Sequence, residues 1–316
     1  MKKQCLSVFI AMIFTEGVVI RSALAADAFS FFETEGSVVI PYNLSQRESV
    51  RFETNNPYVM MDMRWLPNEI LELNAVSWLS TDQALVVDEA MVVVHLLQDD
   101  RLDFLVGRQY LPLGSYDTEM ISDPLTEVLG SARRDHVFMT EARFRTFLFA
   151  VSLSRSDSGT RRNTYTIRLG FDNDQVWGGV DYTDDITESG EIVSSNSIHK
   201  VPGLAVYGAM ELGRLQLMVE HISVLGTIES DTLDSELQPS ATHLEANIDL
   251  DNERVFAVSW NDTQASEALG LTKSYFGVTY RQPLLKDFFG AIELARFTNS
   301  NKKQEDTINV QVSYEF

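Results

Sequence analysis

A two-residue alternation of apolar and polar side chains, repeated almost from end to end, restricts this 316-residue chain more than any other feature. In Asp306–Phe316, Ile308, Val310, Val312, Tyr314 and Phe316 alternate with Asn309, Gln311, Ser313 and Glu315. Side chains of a strand switch faces at every residue, so this stretch has one apolar face, one polar face and an aromatic end. The pattern recurs at Val59, Met61, Met63 and Trp65, at Phe147, Phe149, Val151 and Leu153, at Tyr165, Ile167, Leu169 and Phe171, and at Leu244, Ala246, Ile248 and Leu250. We read about sixteen such strands, the first over residues 31–41 and followed by a polar loop over 42–56.

The connections between them sort by length. Those at 66–69, 97–100, 143–145, 172–174, 213–214, 251–253 and 281–286 are short, and those between them reach the length of 111–135. A soluble sandwich has no reason to sort its loops, whereas an outer-membrane barrel has short turns on one side and long loops on the other. An even strand count also puts both termini on the short-turn side. The expected fold is all-β: one closed transmembrane antiparallel up-and-down β-barrel, its apolar faces toward lipid and its polar faces toward a lumen.

The amino terminus supports export. Lys2 and Lys3 precede an apolar run from Leu6 to Phe14, and Ala23-Leu24-Ala25 forms a cleavage site before Ala26. Residues 1–25 therefore read as a signal peptide, with 26–316 as the barrel; the apolar run is far short of the ~20 residues a helical span needs. Cys5, the single cysteine, lies in that segment, so the mature chain has no disulfide or thiol chemistry. The formal charge is −21, and Lys2, Lys3 and Arg21 against Glu16 leave −23 after cleavage. Such a balance disfavours nucleic acid and anionic membrane surfaces.

Two stretches carry chemistry. Residues 111–135 form the longest connection, spaced by Pro112, Gly114, Pro124 and Gly130 and moderately apolar, which suits an ordered loop folded inward. Asp117, Glu119, Asp123 and Glu127 lie along it. Residues 131–170 then reverse the charge of the chain, with eight arginines against Asp135, Glu141 and Asp157, a net of +5. Arginine suits bidentate contacts to carboxylate or phosphate. Arg168 falls on the lumen-facing register, and Arg133 and Arg134 sit at a strand entrance. An acidic loop opposite a basic wall would give a constriction with a transverse field. The plainer alternative pairs these arginines with neighbouring acids, or sets Arg155, Arg161 and Arg162 against lipopolysaccharide phosphates.

The stretches VDEAMVVV (87–94), VGRQYLPLG (106–114) and MISDPLTEVLG (120–130), with LQPSATHLEANIDL (237–250), the Glu220 strand and the terminal VQVSYEF, resemble the LbtU family of siderophore porins. Leu113 and Ala132-Arg133 depart from that pattern. The resemblance implies a sixteen-stranded outer-membrane barrel that takes up ferric siderophore without an energy-coupling plug, in keeping with the few residues between Ala26 and the first strand. With a polycarboxylate siderophore the arginines would be the counterpart. Glu89, Arg108 and Glu220 join the residues expected to line the path.

The expected partners are a siderophore or other small solute, outer-membrane lipid and lipopolysaccharide, and the barrel-assembly machinery; a homotrimer stays open. No cofactor is expected. A general or anion-preferring diffusion porin shares the fold and remains the alternative. An enzyme is poorly supported: His221 and Ser223 share a face, but His221 falls on the lipid register. His95, His136, His199 and His243 are scattered and not at metal-ligand spacing.

Overall fold

The computed structural model describes residues 32–47, 49–54, 58–80, 85–97, 102–155, 163–173, 175–187, 189, 192, 199–228, 237–265, 271–299 and 303–315, with 32–36 and 41–54 as backbone. The expected signal segment, Arg161, Arg162 and Phe316 lie outside these residues. The strands are β1 (Phe32–Arg47), β2 (Ser49–Thr54), β3 (Tyr58–Asn68), β4 (Leu71–Ser80), β5 (Val86–His95), β6 (Leu102–Tyr110), β7 (Arg133–Phe144), β8 (Phe147–Arg155) and β9 (Asn163–Asp172). They continue as β10 (Val176–Thr183), β11 (Gly203–Leu212), β12 (Leu215–Val224), β13 (Ser240–Leu250), β14 (Arg254–Gln264), β15 (Ser274–Leu285), β16 (Phe288–Thr298) and β17 (Gln304–Glu315). One short helix, α1 (Leu125–Gly130), interrupts the segment between β6 and β7.

From β3 to β17 each strand pairs antiparallel with the next, and β1 closes the ring by pairing with both β3 and β17. The result is a closed sixteen-stranded antiparallel barrel with β2 as an added short hairpin arm on β1. Closure leaves the ring itself without an unpaired edge, which is what a sheet needs where no water can satisfy backbone groups. No described helix is long and apolar enough to cross a membrane.

Two faces follow from the alternation. Val219, Leu244, Trp260 and Phe276 are cross-strand neighbours on four successive strands, and all four are substantially exposed on the outer face. Inside, Leu148, Gly170, Gly179, Tyr207, Glu220, His243, Asn261 and Tyr275 form one continuous row over β8–β15. Its carboxylate, imidazole and amide are buried. A soluble sandwich would bury the first row and hydrate the second; here the assignment is reversed.

The structure corrects three boundaries. The first strand runs to Arg47, and 42–56 is largely the β1–β2 hairpin rather than a loop. Pro41 reads as a strand end, yet it falls between the β3 partnership, which stops at Val39, and the β2 partnership, which begins at Tyr42. A residue without an N–H is tolerated there. Likewise β15 continues through Pro283, at a register shift between Pro283 and Leu285. Arg133 and Arg134 lie within β7, because that end of the strand is paired through ion pairs and backbone bonds instead of apolar alternation.

Gly107 is the one β6 position that admits no side chain. Its φ is +150°, and a Cβ would lie 2.2 Å from the Ala90 carbonyl oxygen and 2.7 Å from Met91 Cα, at the register shift between Gly107 and Gln109. Both obstacles are backbone of β5. Gly107→Ala is therefore expected to destabilise the barrel by about 3 kcal/mol or more. Thermal unfolding in detergent, followed by circular dichroism, tests this; an unchanged midpoint would mean that the bulge relaxes around a methyl group.

Candidate functional site: the segment between β6 and β7

Residues 111–132 leave and re-enter the wall at one point, where the Leu111 N–H donates to the Ala132 carbonyl at 2.8 Å. A chain passing inside a ring of strands must satisfy its own N–H groups without a neighbouring strand. Here the acceptors are wall carboxylates. Gly114 donates its N–H to Asp181 on β10 at 2.8 Å, and its carbonyl accepts from Arg168 Nη2 on β9 at 2.6 Å. Ser115 donates to Glu220 on β12 at 2.7 Å. Thr118 Oγ1 and the Glu119 N–H donate to the two oxygens of Glu245 on β13, at 2.6 and 2.8 Å. Ile121 and Ser122 N–H groups converge on Glu293 Oε2 on β16 at 2.8 and 3.1 Å, and the Ser122 hydroxyl donates to Oε1 at 2.5 Å.

The segment then turns back. The Leu125 N–H, first of α1, donates to Asn261 Oδ1 on β14 at 3.0 Å, so the wall caps a helix that Pro124 cannot cap. Thr126 Oγ1 donates to Glu220 Oε2 at 2.6 Å, so one carboxylate holds both limbs. Asp181, Glu220, Glu245 and Glu293 each stand one inward position nearer the short-turn end than the one before. Hydrogen bonds to charged groups contribute about 1.5–3 kcal/mol each, which makes these four carboxylates the principal anchors.

Packing completes the attachment. Leu113, Met120, Leu125 and Leu129 are buried against Ala205, Ile222, Ala241, Ala257 and Ala295 of the wall. The inner register is small where the segment lies close: a Cβ on Gly277 would fall 2.7 Å from Met120 Cε. Ile186, Val201, Ile228, Leu237 and Leu271, from the long connections, join the same cluster, and Ser189 Oγ donates to the Leu129 carbonyl at 3.1 Å.

The segment thus rests on acidic residues, whereas the sequence suggests a basic surface opposite it. Arg168 reaches the segment at the Gly114 carbonyl, but its charge and that of Arg133 are taken up by acids of the wall. Arg168 is held by Nε and Nη2 to Asp181, which is fully buried. Arg133 pairs with Asp88, and Arg134 is buried opposite Gln109. Arg108 lies opposite Ala90, on the outer register, and binds Asp135 at 3.1 Å. The positive excess of residues 131–170 is thus partly cancelled by Asp88 and Asp181, acids outside that stretch. Of the other expected residues, Glu89 accepts the Tyr110 N–H at 3.5 Å and Glu220 is an anchor.

The carboxylates of the segment itself take no part in these anchoring hydrogen bonds. Asp117 and Asp123 are exposed, Glu119 meets Arg281 of β15 at 3.3 Å, and Glu127 lies opposite the buried face of α1. Partial burial, then the charges of Asp123 and Glu220, push the Glu127 carboxyl up to about 7. Desolvation inside the ring of strands, then the charge of Glu293, also raises Asp123, whose side chain still meets solvent. For Glu119 burial outweighs the opposing pull of Arg281.

Sequence reasoning missed Asp181, Glu245, Glu293, Asn261 and Arg281. Their signal is a carboxylate, amide or guanidinium on an inward register of otherwise uncharged residues, as in VDYT, HLEAN and AIELA. It also missed the β3–β6 cluster, where Glu72 binds Arg64 at 2.6 Å and His95 at 3.3 Å, and His95 binds Asp103 at 2.8 Å. Among the described residues no group of His, Cys, Asp and Glu is arranged to hold a metal ion.

A closed sixteen-stranded barrel with a long segment bonded to its inner wall is a porin-like fold. No family model matches the chain. A UPF0422 protein of Coxiella burnetii is 22% identical over 296 residues, covering 84% of this chain and 61% of that protein. The chain thus spans about three-fifths of that relative's length. Among solved structures, Salmonella typhi OmpF in complex with daunomycin has a TM-score of 0.70 at 11% identity, covering 90% of this chain and 97% of that one. The anion-selective porin from Comamonas acidovorans gives 0.70 at 11%, with 90% and 99% covered. The channel DcaP of Acinetobacter baumannii gives 0.65 at 12%, with 92% and 99% covered. At such identities the likeness is one of fold.

Proposed function

We propose that the protein is an outer-membrane diffusion pore for small solutes, and that the anchored segment 111–132 is its constriction. The observation that carries this reading is the carboxylate ladder: four wall acids spend their acceptors on holding one segment across the ring. A loop so held narrows a pore at a fixed place. The apolar outer belt supports an outer-membrane location, with the signal peptide at 1–25 as the route of export.

The charge pattern favours cations and neutral solutes. Arg64, Arg143, Arg168 and Arg281 each face a carboxylate partner, while Asp62, Asp117, Asp123 and Glu127 have no ion pair among the described residues. Uptake of an anionic ferric siderophore, which the family resemblance suggests, would need cations left over for the ligand. Arg133 and Arg168 are already paired, so the general pore is the better-supported reading.

Single-channel recording of purified protein in a planar bilayer tests both. We expect conductance, with a reversal potential of cation-preferring sign in a salt gradient. Anion preference with dose-dependent block by a ferric carboxylate siderophore would put the siderophore reading first. Absence of conductance would overturn the pore.

A further inference from the structure

Between the segment and the short-turn end, the inner wall opens into a cavity of about 390 Å³ that the anchoring network does not fill. Its floor follows from two glycines. Gly170 and Gly179 are inward neighbours on β9 and β10, flanked by Leu148 and Tyr207. A Cβ on Gly179 would fall 2.5 Å from Tyr207 Oη, so the missing side chain lets Tyr207 lie across the hollow. Trp177 is the next inward residue of β10, with its ring 6.2 Å from that of Tyr207 and tilted by 54°. Ser115 and Asp117 of the segment border the cavity on one side and Asp172 on another, and Ser115 Oγ donates to Asp117 at 2.5 Å.

The lining selects among ligand classes. The Trp177 indole, with Leu148 beside the Gly170 floor, puts apolar surface on the inner wall of a water-filled pore, which is the mark of a contact surface for solutes. An organic cation would seek the Tyr207 ring, but the Arg168 guanidinium already stands 5.5 Å from its centroid. An anion would meet Asp117 and Asp172, while Arg168 is neutralised by Asp181. What remains is a neutral solute with an apolar face and several hydroxyl donors.

We propose that this cavity is a saccharide subsite, in which the Trp177 indole packs on the C–H face of a pyranose and the Asp117 and Asp172 carboxylates accept its hydroxyls. Arg168 also lines the cavity, and its bonds to Asp181 and Gly114 are made through Nε and Nη2. The proposal rests on the pore reading for access to the cavity, but binding can be measured without conduction.

The test titrates maltotriose into purified protein in detergent, following tryptophan emission, and into the bilayer channel, following current block. A saturable emission change in the wild type is expected. In Trp177→Phe, block should weaken and most of the emission change should vanish, while Trp177→Ala should raise the blocking concentration at least tenfold. Trp260→Phe, on the outer face, should leave binding as it is. An emission change without any conductance would sustain the subsite and sink the pore. Conductance with neither block nor emission change would overturn the subsite alone. Block by choline or uridine in preference to maltotriose would also overturn it, as would equal block in wild type and a folded Trp177→Ala.

Discussion

Glu220→Ala should widen the pore. Glu220 accepts the Ser115 N–H and the Thr126 hydroxyl, so it ties the outgoing limb of the segment to the returning one. Alanine leaves those donors facing a gap in the wall, and stranded buried donors cost about 1–3 kcal/mol each. Asp181 and Arg168 still hold Gly114, and Asn261 still holds Leu125, but each grips one limb only, and Glu245 and Glu293 hold residues 118–122, so none of them ties the two limbs together. The barrel itself should survive, since β12 keeps its full backbone pairing with β11 and β13. Single-channel conductance is expected to rise at least about twofold, with noisier open levels, as the constriction loosens. Glu220→Gln, which keeps one acceptor oxygen, should fall between the two. Adding Glu293→Ala to Glu220→Ala should increase the effect further. A Glu220→Ala channel with wild-type conductance would show that apolar packing alone holds the segment, and the ladder would lose its assigned role.

Ion selectivity should depend on pH near neutrality through Glu127. Its carboxyl is pushed up to about 7 by partial burial, then by Asp123 and Glu220, and no cation pairs with it among the described residues. Above that value the group is ionised and adds a negative charge beside the solute path. As the pH falls through about 7 it takes up a proton, and cation attraction weakens. The cation-to-anion permeability ratio is therefore expected to drop, roughly by half, between pH 8 and pH 6. Asp123 and Glu119 are raised as well and should extend the decline to lower pH. Reversal potentials in a fixed salt gradient measure this directly. Glu127→Gln should hold the ratio near its low-pH value across the same range. A wild-type ratio that rises on acidification, or a pH response that persists unchanged in Glu127→Gln, would remove Glu127 from the path.

The barrel was legible because its rule is local. Val219, Leu244, Trp260 and Phe276 declare the outer face, each on its own strand, by alternation alone. Boundaries failed where a local rule met a tertiary exception. Pro41 stops most strands, but here it sits between two partners. The Arg133-Arg134 end of β7 lacks apolar alternation, so the sequence places it at the strand entrance within the 111–135 connection. The candidate site was half legible. Length, proline and glycine spacing and apolar content marked 111–135 as an ordered segment. Its seat was hidden, because Asp181, Glu220, Glu245 and Glu293 stand far from it in sequence and each reads only as a polar lumen residue.

Alternation, sorted connections and an even number of strands admit little but a closed barrel with a polar interior, so the architecture is written locally along the chain. The charge of that interior is not written locally, because it depends on which groups closure of the ring brings face to face. Arginine counts suggest a basic wall, yet whether a guanidinium acts on a solute depends on the carboxylate it already faces. Asp181 answers Arg168 from the adjacent strand and Asp88 answers Arg133 from across the β5–β7 wall. Composition adds charges one by one, whereas the field in a pore is set by those that closure of the ring leaves unpaired.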